Sequence, residues 1–284
     1  MQVEQIKQEL KKIQARPLKN LGQNFLICPE VLNKIVSSSN LDSNDQVLEI
    51  GPGLGILTDK LIKKTQSVLA IEYDKKYYKY LSEKYKDRSL QLIQKDFLKI
   101  NPDSVLENFF QLSAPGGIDY KVIANLPYNI SKKILRNFLQ ITHRPQTMTF
   151  LLQKEVGKKI CATPPKMNFL ALLMQFFYDV EFVQTVKKQC FYPVPKVDSG
   201  IIRFYNLKKQ LDYQDPRIQN LFKLIKIGFA SPRKTLINNL GAVSKIYQQK
   251  AKFFLNKSNK SLTSRAQELN LKDWETFYEL VEKS

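Results

Sequence analysis

"VLEIGPGLGILT" occupies residues 47–58. A short apolar run, Gln46–Ile50, meets Gly51, Gly53 and Gly55, and a helical pattern follows over Thr58–Lys64. Glycine lets the chain turn sharply, and it lets a ligand approach a backbone that carries no Cβ. The stretch therefore predicts a strand, a ligand-cradling turn and a helix, which is the opening βα unit of an α/β sheet. A nicotinamide-binding fingerprint would need G-x-G-x-x-G. Ile56 stands where the last glycine would be, so the spacing is G-x-G-x-G. A βα turn with a purely structural role is the other reading of the same residues.

Outward from this unit, short apolar runs alternate with helical patterns. Strands are expected at Ser67–Ile71, Leu90–Ile93, Lys121–Ala124 and Thr147–Leu152. Helices are expected at Lys75–Tyr85, Val105–Leu112 and Ser131–Gln140, and after the last strand through Ile160. Such alternation predicts a parallel sheet covered on both faces. The pattern then changes. Val180–Val186 and Ser199–Phe204 follow one another with only the proline-rich "FYPVPKV" between them, which predicts an antiparallel pair at one edge. After Leu207 strand signals end and "LFKLIKIGFA" and "LKDWETFYELVEK" show helical spacing. The expected organisation is an α/β domain over residues 1–207 and a small all-helical domain over 208–284.

Charge narrows the partner. Of 284 residues, 45 are Lys or Arg and 26 are Asp or Glu, a net charge of +19 spread along the whole chain. A basic globular surface points to a polyanion, nucleic acid before an anionic membrane, with a merely solvated basic face as the alternative. Cys28, Cys161 and Cys190 are far apart and form no C-x-x-C pair. Neither a zinc site nor a disulfide framework is expected from them, and a reducing cytoplasm fits best. His143 is the one histidine. Ser-His and Cys-His nucleophiles and metal centres thus lack raw material, and no metal is expected. No apolar run reaches the roughly 18 residues of a membrane span, and the basic, amphipathic N-terminus lacks the h-region of a secretory leader.

Three further strand ends carry chemistry. Glu72 closes "LAIEYD", about one βαβ unit beyond the glycine loop, where a carboxylate can accept from both ribose hydroxyls of a nucleoside. Asp96 and Phe97 close "QKDF", where the carboxylate could accept from an adenine amine and the ring could pack beside it. A turn-forming Asp is the alternative there. "NLPYNI" (125–130) follows the apolar run Lys121–Ala124. An adenine N6 is a poor nucleophile because its lone pair is delocalised into the ring. To accept a methyl group it needs two acceptors on its two hydrogens and a fixed line to the methyl carbon. The Asn125 amide oxygen and the Leu126 carbonyl can supply those acceptors. Pro127 fixes φ and donates no N–H, and Tyr128 can stack on a base drawn out of its helix. A tight strand-to-helix turn with Tyr128 packed inward is the other reading. The G-x-G-x-G spacing is the form common in methyltransferases that bind S-adenosylmethionine.

"LGQNFL" (21–26), "VLEIGPGLG", "AIEYD", "QKDF", "VIANLPYNIS", "LLQKEV" (151–156), "FYPVPKVDSG" (191–200) and "FASPRKTLINNL" (229–240) occur in that order. Together they resemble the ribosomal RNA adenine N6,N6-dimethyltransferase family over roughly residues 16–283. The last two, with "SRAQELNLKDWETF" (264–277), resemble the branch that acts on small-subunit rRNA. The resemblance implies an α/β, Rossmann-like class I methyltransferase sheet with a helical C-terminal domain that recognises RNA. It implies an enzyme that dimethylates two adjacent adenosines in a loop near the 3′ end of small-subunit rRNA, with S-adenosyl-L-methionine as cofactor. By motif match Asn24, Leu26, Gly51, Gly53, Glu72, Asp96 and Asn125 would contact the cofactor. Asn125, Leu126, Pro127 and Tyr128 would form the target-base site, and Phe191 would stack the base's other face. Lys19, Arg233 and Lys234 would meet phosphates. A cytoplasmic monomer working on the immature small ribosomal subunit, in ribosome biogenesis, completes the expectation.

Two stretches depart from the usual family pattern: "MNFLA" (167–171) and Ser231-Pro232. Competing readings are a large-subunit rRNA methylase of the macrolide-resistance type and a ribosome-assembly factor that acts mainly by binding. A nicotinamide oxidoreductase is disfavoured by the glycine spacing.

Overall fold

In the computed structural model, which describes residues 2–17, 22–88, 90–110, 119–208 and 213–282, the apolar runs pair side by side. The first half of the chain forms α1 (Val3–Lys12), β1 (Phe25–Leu26), α2 (Pro29–Ser38), β2 (Gln46–Ile50), α3 (Thr58–Leu61), β3 (Ser67–Glu72), α4 (Lys75–Lys84), β4 (Leu90–Gln94), α5 (Pro102–Phe109), β5 (Tyr120–Asn125) and α6 (Ser131–Gln140). The second forms β6 (Thr147–Gln153), α7 (Lys154–Ile160), α8 (Phe169–Phe177), β7 (Asp179–Val186), β8 (Phe191–Tyr192), β9 (Ser199–Tyr205), α9 (Pro216–Gly228), α10 (Leu236–Gly241), α11 (Lys245–Lys257) and α12 (Leu271–Glu282). The expected helix over Val105–Leu112 begins three residues earlier, because Asn101 caps it and Pro102 suits a first turn. Its expected end at Leu112 lies outside the described residues.

Among the described residues the main sheet has seven strands in the order β4-β3-β2-β5-β6-β9-β7. The five from β4 to β6 run parallel, and β9 runs antiparallel to both β6 and β7, the expected edge pair. Interior strands such as "SVLAIE" and "YKVIAN" are buried along almost their whole length, as a sheet covered on both faces requires. "LQLIQ" of β4, at one edge, stays partly exposed. The connections proceed from β2 to β3 and β4 on one side and to β5 and β6 on the other. The carboxyl ends of β2 and β5 are therefore neighbours at the point where the strand order reverses, where α/β sheets open a crevice for ligands.

The chain divides into two compact units, Met1–Gly157 with Asp179–Gln210, and Lys158–Tyr178 with Leu211–Ser284. This corrects the boundary expected at 207/208. The excursion Lys158–Tyr178 belongs to the helical unit, and its helix α8 is apolar almost all round, so no periodicity in the sequence tells which core will bury it. Within that unit Phe176 meets the Phe222 ring edge-on at 5.2 Å, and Trp274 and Phe277 are fully buried. Gly228 lies where any Cβ would run into the Trp274 ring. The departure at Met167–Ala171 has a structural role here. Asn168 caps α8 by accepting from the Ala171 N–H at 3.1 Å, and the Met167 N–H donates to the Gln267 carbonyl at 3.0 Å.

The cysteine expectation is also corrected. Cys28 and Cys190 are 162 residues apart in sequence, yet they pair as a disulfide. The two-residue antiparallel pair of β1 with β8 brings them together, Phe25 facing Tyr192 and Leu26 facing Phe191. No sequence spacing encodes such a pairing, and with it the cysteine argument for a reducing compartment lapses. No helix among the described residues is long and apolar enough to cross a membrane.

Candidate active site

A cavity of about 300 Å³ opens at the carboxyl ends of β2, β3 and β5, within the α/β unit. Its floor is the glycine loop. Gly51, Gly53 and Gly55 all have positive φ, from 59° to 75°. Each makes its own demand. Nothing lies within 4 Å of the place a Cβ on Gly51 would occupy, which is space left beside a cavity wall. At Gly53 a Cβ would press on the Phe25 ring at 3.3 Å, and at Gly55 it would strike the Tyr85 hydroxyl. Tyr85 in turn donates to the Gly55 carbonyl at 3.0 Å, fixing the end of the loop.

Glu72 latches this loop to the next strand. Its Oε2 accepts from the Gly53 N–H at 3.0 Å and its Oε1 from the Asp74 N–H at 2.8 Å. Burial pushes the Glu72 carboxyl up, against the pull of those two N–H donors. Asp96 lines the same cavity, and its Oδ1 accepts from the Leu98 N–H at 3.0 Å, so the turn-forming reading of this residue holds as well. Phe97 is buried and packs on Phe138 at 5.4 Å.

The stretch from Gly22 to Leu26 runs across the tip of β5. The Asn125 Nδ2 donates to the Asn24 carbonyl at 3.0 Å. This bond orients the amide: among the described residues no donor meets Asn125 Oδ1, and none meets the Leu126 carbonyl. Two acceptors are thus presented together at the strand tip, beside Pro127 and Tyr128, all four residues lining the cavity. Tyr128 is half-buried, and its hydroxyl lies 2.6 Å from the Ser199 hydroxyl. Burial keeps its phenol protonated.

The structure therefore brings Asn24, Leu26, Gly51, Gly53, Glu72, Asp96, Asn125, Leu126, Pro127 and Tyr128 to one cavity. It does not bring Phe191 there. That ring is 1% exposed, held in a core cluster with Leu26, Leu151 and Ile201 by the β1–β8 pair, and it gives no surface to the cavity. Lys19 lies outside the described residues. Arg233 and Lys234 belong to the helical unit, exposed on a turn that Asn239 stitches through the Ser231 N–H and carbonyl.

One residue escaped the sequence reading. Glu49, on β2, lines the cavity although it is almost fully buried, and it accepts from the Thr58 hydroxyl at 2.6 Å. Only its position in "VLEIGPG", among strand residues, could have drawn attention to it. Burial pushes its carboxyl up to about 8, with the Thr58 hydrogen bond opposing. In the unfolded chain it titrates near 4.5. Between those values the folded protein holds a proton that the unfolded chain has released. The group's contribution to stability is full below about 4.5 and lost as pH rises through about 8. Glu49→Gln should therefore gain on wild type between about pH 5 and about pH 9, by roughly 1–4 kcal/mol. Urea unfolding of both proteins at the two pH values measures this, and a pH-independent difference would mean that the carboxyl is already ionised when folded.

A glycine loop at the sheet's switch point, a strand-end carboxylate on the next strand, and a mainly parallel seven-stranded sheet define a class I S-adenosylmethionine-dependent methyltransferase. The chain belongs to the ribosomal RNA adenine dimethylase family, whose model it matches over residues 15–283. It is an rRNA adenine dimethyltransferase, with S-adenosyl-L-methionine as methyl donor. The residues suit that donor: the open side of Gly51 leaves room for it, and the Glu72 carboxyl stands beside the glycine loop, its Oε2 on the Gly53 N–H, at the place where a carboxylate accepts from ribose hydroxyls.

Among its relatives, the chain is 36% identical to the Ribosomal RNA small subunit methyltransferase A of Dehalococcoides mccartyi, covering 95% of this chain and 90% of that one. The proteins of the same name from Picosynechococcus and Mycoplasmopsis pulmonis are 40% and 38% identical, over 79% and 93% of this chain and 83% and 98% of theirs. Two solved structures share the fold at TM-score 0.71 and 22% identity: the 23S rRNA methyltransferase ErmE and a dimethyladenosine transferase from Plasmodium falciparum. They cover 91% of this chain, and the match spans 99% and 98% of theirs.

Proposed function

We propose that the chain dimethylates N6 of two adjacent adenosines in a loop near the 3′ end of small-subunit rRNA, as a cytoplasmic monomer acting on the immature small subunit during ribosome biogenesis. The observation that carries the reading is a pair of acceptors at the tip of β5 that no donor among the described residues claims: Asn125 Oδ1, left over by the amide's bond to Asn24, and the Leu126 carbonyl, on two residues that line the cavity. Asn24, Leu26, Gly51, Gly53, Glu72, Asp96 and Asn125 hold the cofactor. When bound, S-adenosylmethionine supplies an electrophilic methyl group on a sulfonium centre. The protein's own part is positioning. Asn125 Oδ1 and the Leu126 carbonyl accept the two N6 hydrogens, which draws electron density back onto the nitrogen and fixes its line of approach. Tyr128 stacks on the extruded base, on the side of the cavity that Phe191, buried behind the β1–β8 pair, does not line. The N6 proton that the new N–C bond displaces passes to solvent.

Relatives 36–40% identical and named for the small subunit support the choice of substrate over the large-subunit alternative. The net charge of +19 supports RNA binding, with Lys19, Arg233 and Lys234 meeting phosphates. The test is mass spectrometry of rRNA from cells with and without the protein. Two adjacent dimethyladenosines should vanish from small-subunit rRNA when the protein is absent. Loss of a mark in large-subunit rRNA would instead favour the macrolide-resistance reading. Intact marks would favour an assembly factor that works by binding alone.

A further inference from the structure

Ser199 opens β9 and is fully buried. A hydroxyl in that position costs stability unless it is paired. Its partner is the Tyr128 hydroxyl at 2.6 Å, 71 residues away in sequence. Ser199 itself cannot drift. Its backbone is in register with Gln153 of β6 on one side and Val186 of β7 on the other. The preceding residue is pinned twice, its carbonyl accepting from the Lys154 N–H at 3.0 Å and its Oδ1 from the Lys188 N–H at 3.0 Å. A tyrosine ring at a cavity lip is otherwise a rotor on two bonds. Tethering its far end to a three-strand junction removes that freedom.

We infer that Ser199 is a positioning residue for the methyl transfer, holding the Tyr128 ring at the angle at which the extruded adenine stacks. The inference rests on the target-base role of Tyr128 proposed above. Its chemistry is a hydrogen bond alone, so the bond matters only through the ring. Removing either hydroxyl should then have the same consequence, and removing both should add nothing.

The experiment measures methyl transfer to small-subunit rRNA at saturating substrate, with cofactor affinity and thermal melting, for wild type, Ser199→Ala, Tyr128→Phe and the double variant. Each single change should slow transfer about three- to tenfold, the scale of one hydrogen bond, with cofactor affinity and the RNA's KM held within about twofold. The double variant should be no slower than the slower single, since the two changes break one interaction. Multiplying effects, or a rate for Ser199→Ala equal to that of an active wild type, would overturn the inference while leaving the function intact. So would a Ser199→Ala defect that falls on cofactor affinity and melting alone. A wild type that transfers no methyl to adenine would overturn the functional reading, and this inference with it.

Discussion

Asn125→Ala should leave the chain folded and bound to RNA while lowering the methyl-transfer rate by about a hundredfold or more, the scale at which removal of one preorganised polar partner acts. The residue ends β5 and pairs with Leu151 through its backbone, which the substitution leaves in place, so the sheet loses no ladder bond. The wild-type amide is oriented by its donation to the Asn24 carbonyl at 3.0 Å, which is why its oxygen and not its nitrogen faces the substrate. With alanine the Leu126 carbonyl is the single remaining acceptor, and one N6 hydrogen goes unpaired in a partly closed cavity. RNA affinity should hardly move, because phosphate contacts spread over the basic surface dominate it. Asn125→Asp is the informative companion. It keeps an acceptor toward the base but places a second oxygen against the Asn24 carbonyl, so it should fall between alanine and wild type. Single-turnover transfer of labelled methyl, with filter binding of the same RNA, separates the two quantities. A rate within about threefold of wild type for Asn125→Ala would remove the side chain from the target site.

Much of this site was legible in the sequence because strand ends are short and their chemistry is local. The glycine loop, Glu72 and the Asn125–Tyr128 tip each follow an apolar run, and runs that alternate with helical patterns must stack into one parallel sheet with their carboxyl ends together. What the sequence withheld depends on long-range pairing. Cys28 meets Cys190 only because β1 bridges β8. The same bridge buries Phe191, whose place in an aromatic-proline motif gave no sign of that burial. Glu49 looked like an ordinary residue of a strand until the structure showed its carboxyl under the glycine loop, tied to Thr58. The helix Phe169–Phe177 joined the helical unit against its position in the chain, since an almost wholly apolar helix can be buried by either core.

Glu72→Ala should weaken cofactor binding by about 1.5–3 kcal/mol, roughly ten- to a hundredfold or somewhat more, with RNA binding unchanged. Two losses combine in that figure. The carboxylate already organises the site before any ligand arrives, since Oε2 holds the Gly53 N–H and Oε1 the Asp74 N–H. Without it the glycine loop keeps its shape only through its own turns and the Tyr85 bond to Gly55. The second loss is the charged acceptor for the ribose hydroxyls. Glu72→Gln removes the charge and one of the two latch bonds while keeping the side chain's size, since its NH₂ must face one of the two backbone donors. A variant as weak as alanine would show that charge and latch, not the bulk of the side chain, hold the cofactor. The pH dependence follows from the raised carboxyl. As pH falls through its elevated pKa, protonation removes the charge and affinity should drop, whereas the alanine variant should show no such slope from this group. Calorimetric titration of cofactor into all three proteins, at neutral and mildly acid pH, measures both effects. Unchanged affinity in a folded Glu72→Ala would take Glu72 out of the cofactor site, and with it the reason for reading the β2 and β3 ends as one nucleoside cradle.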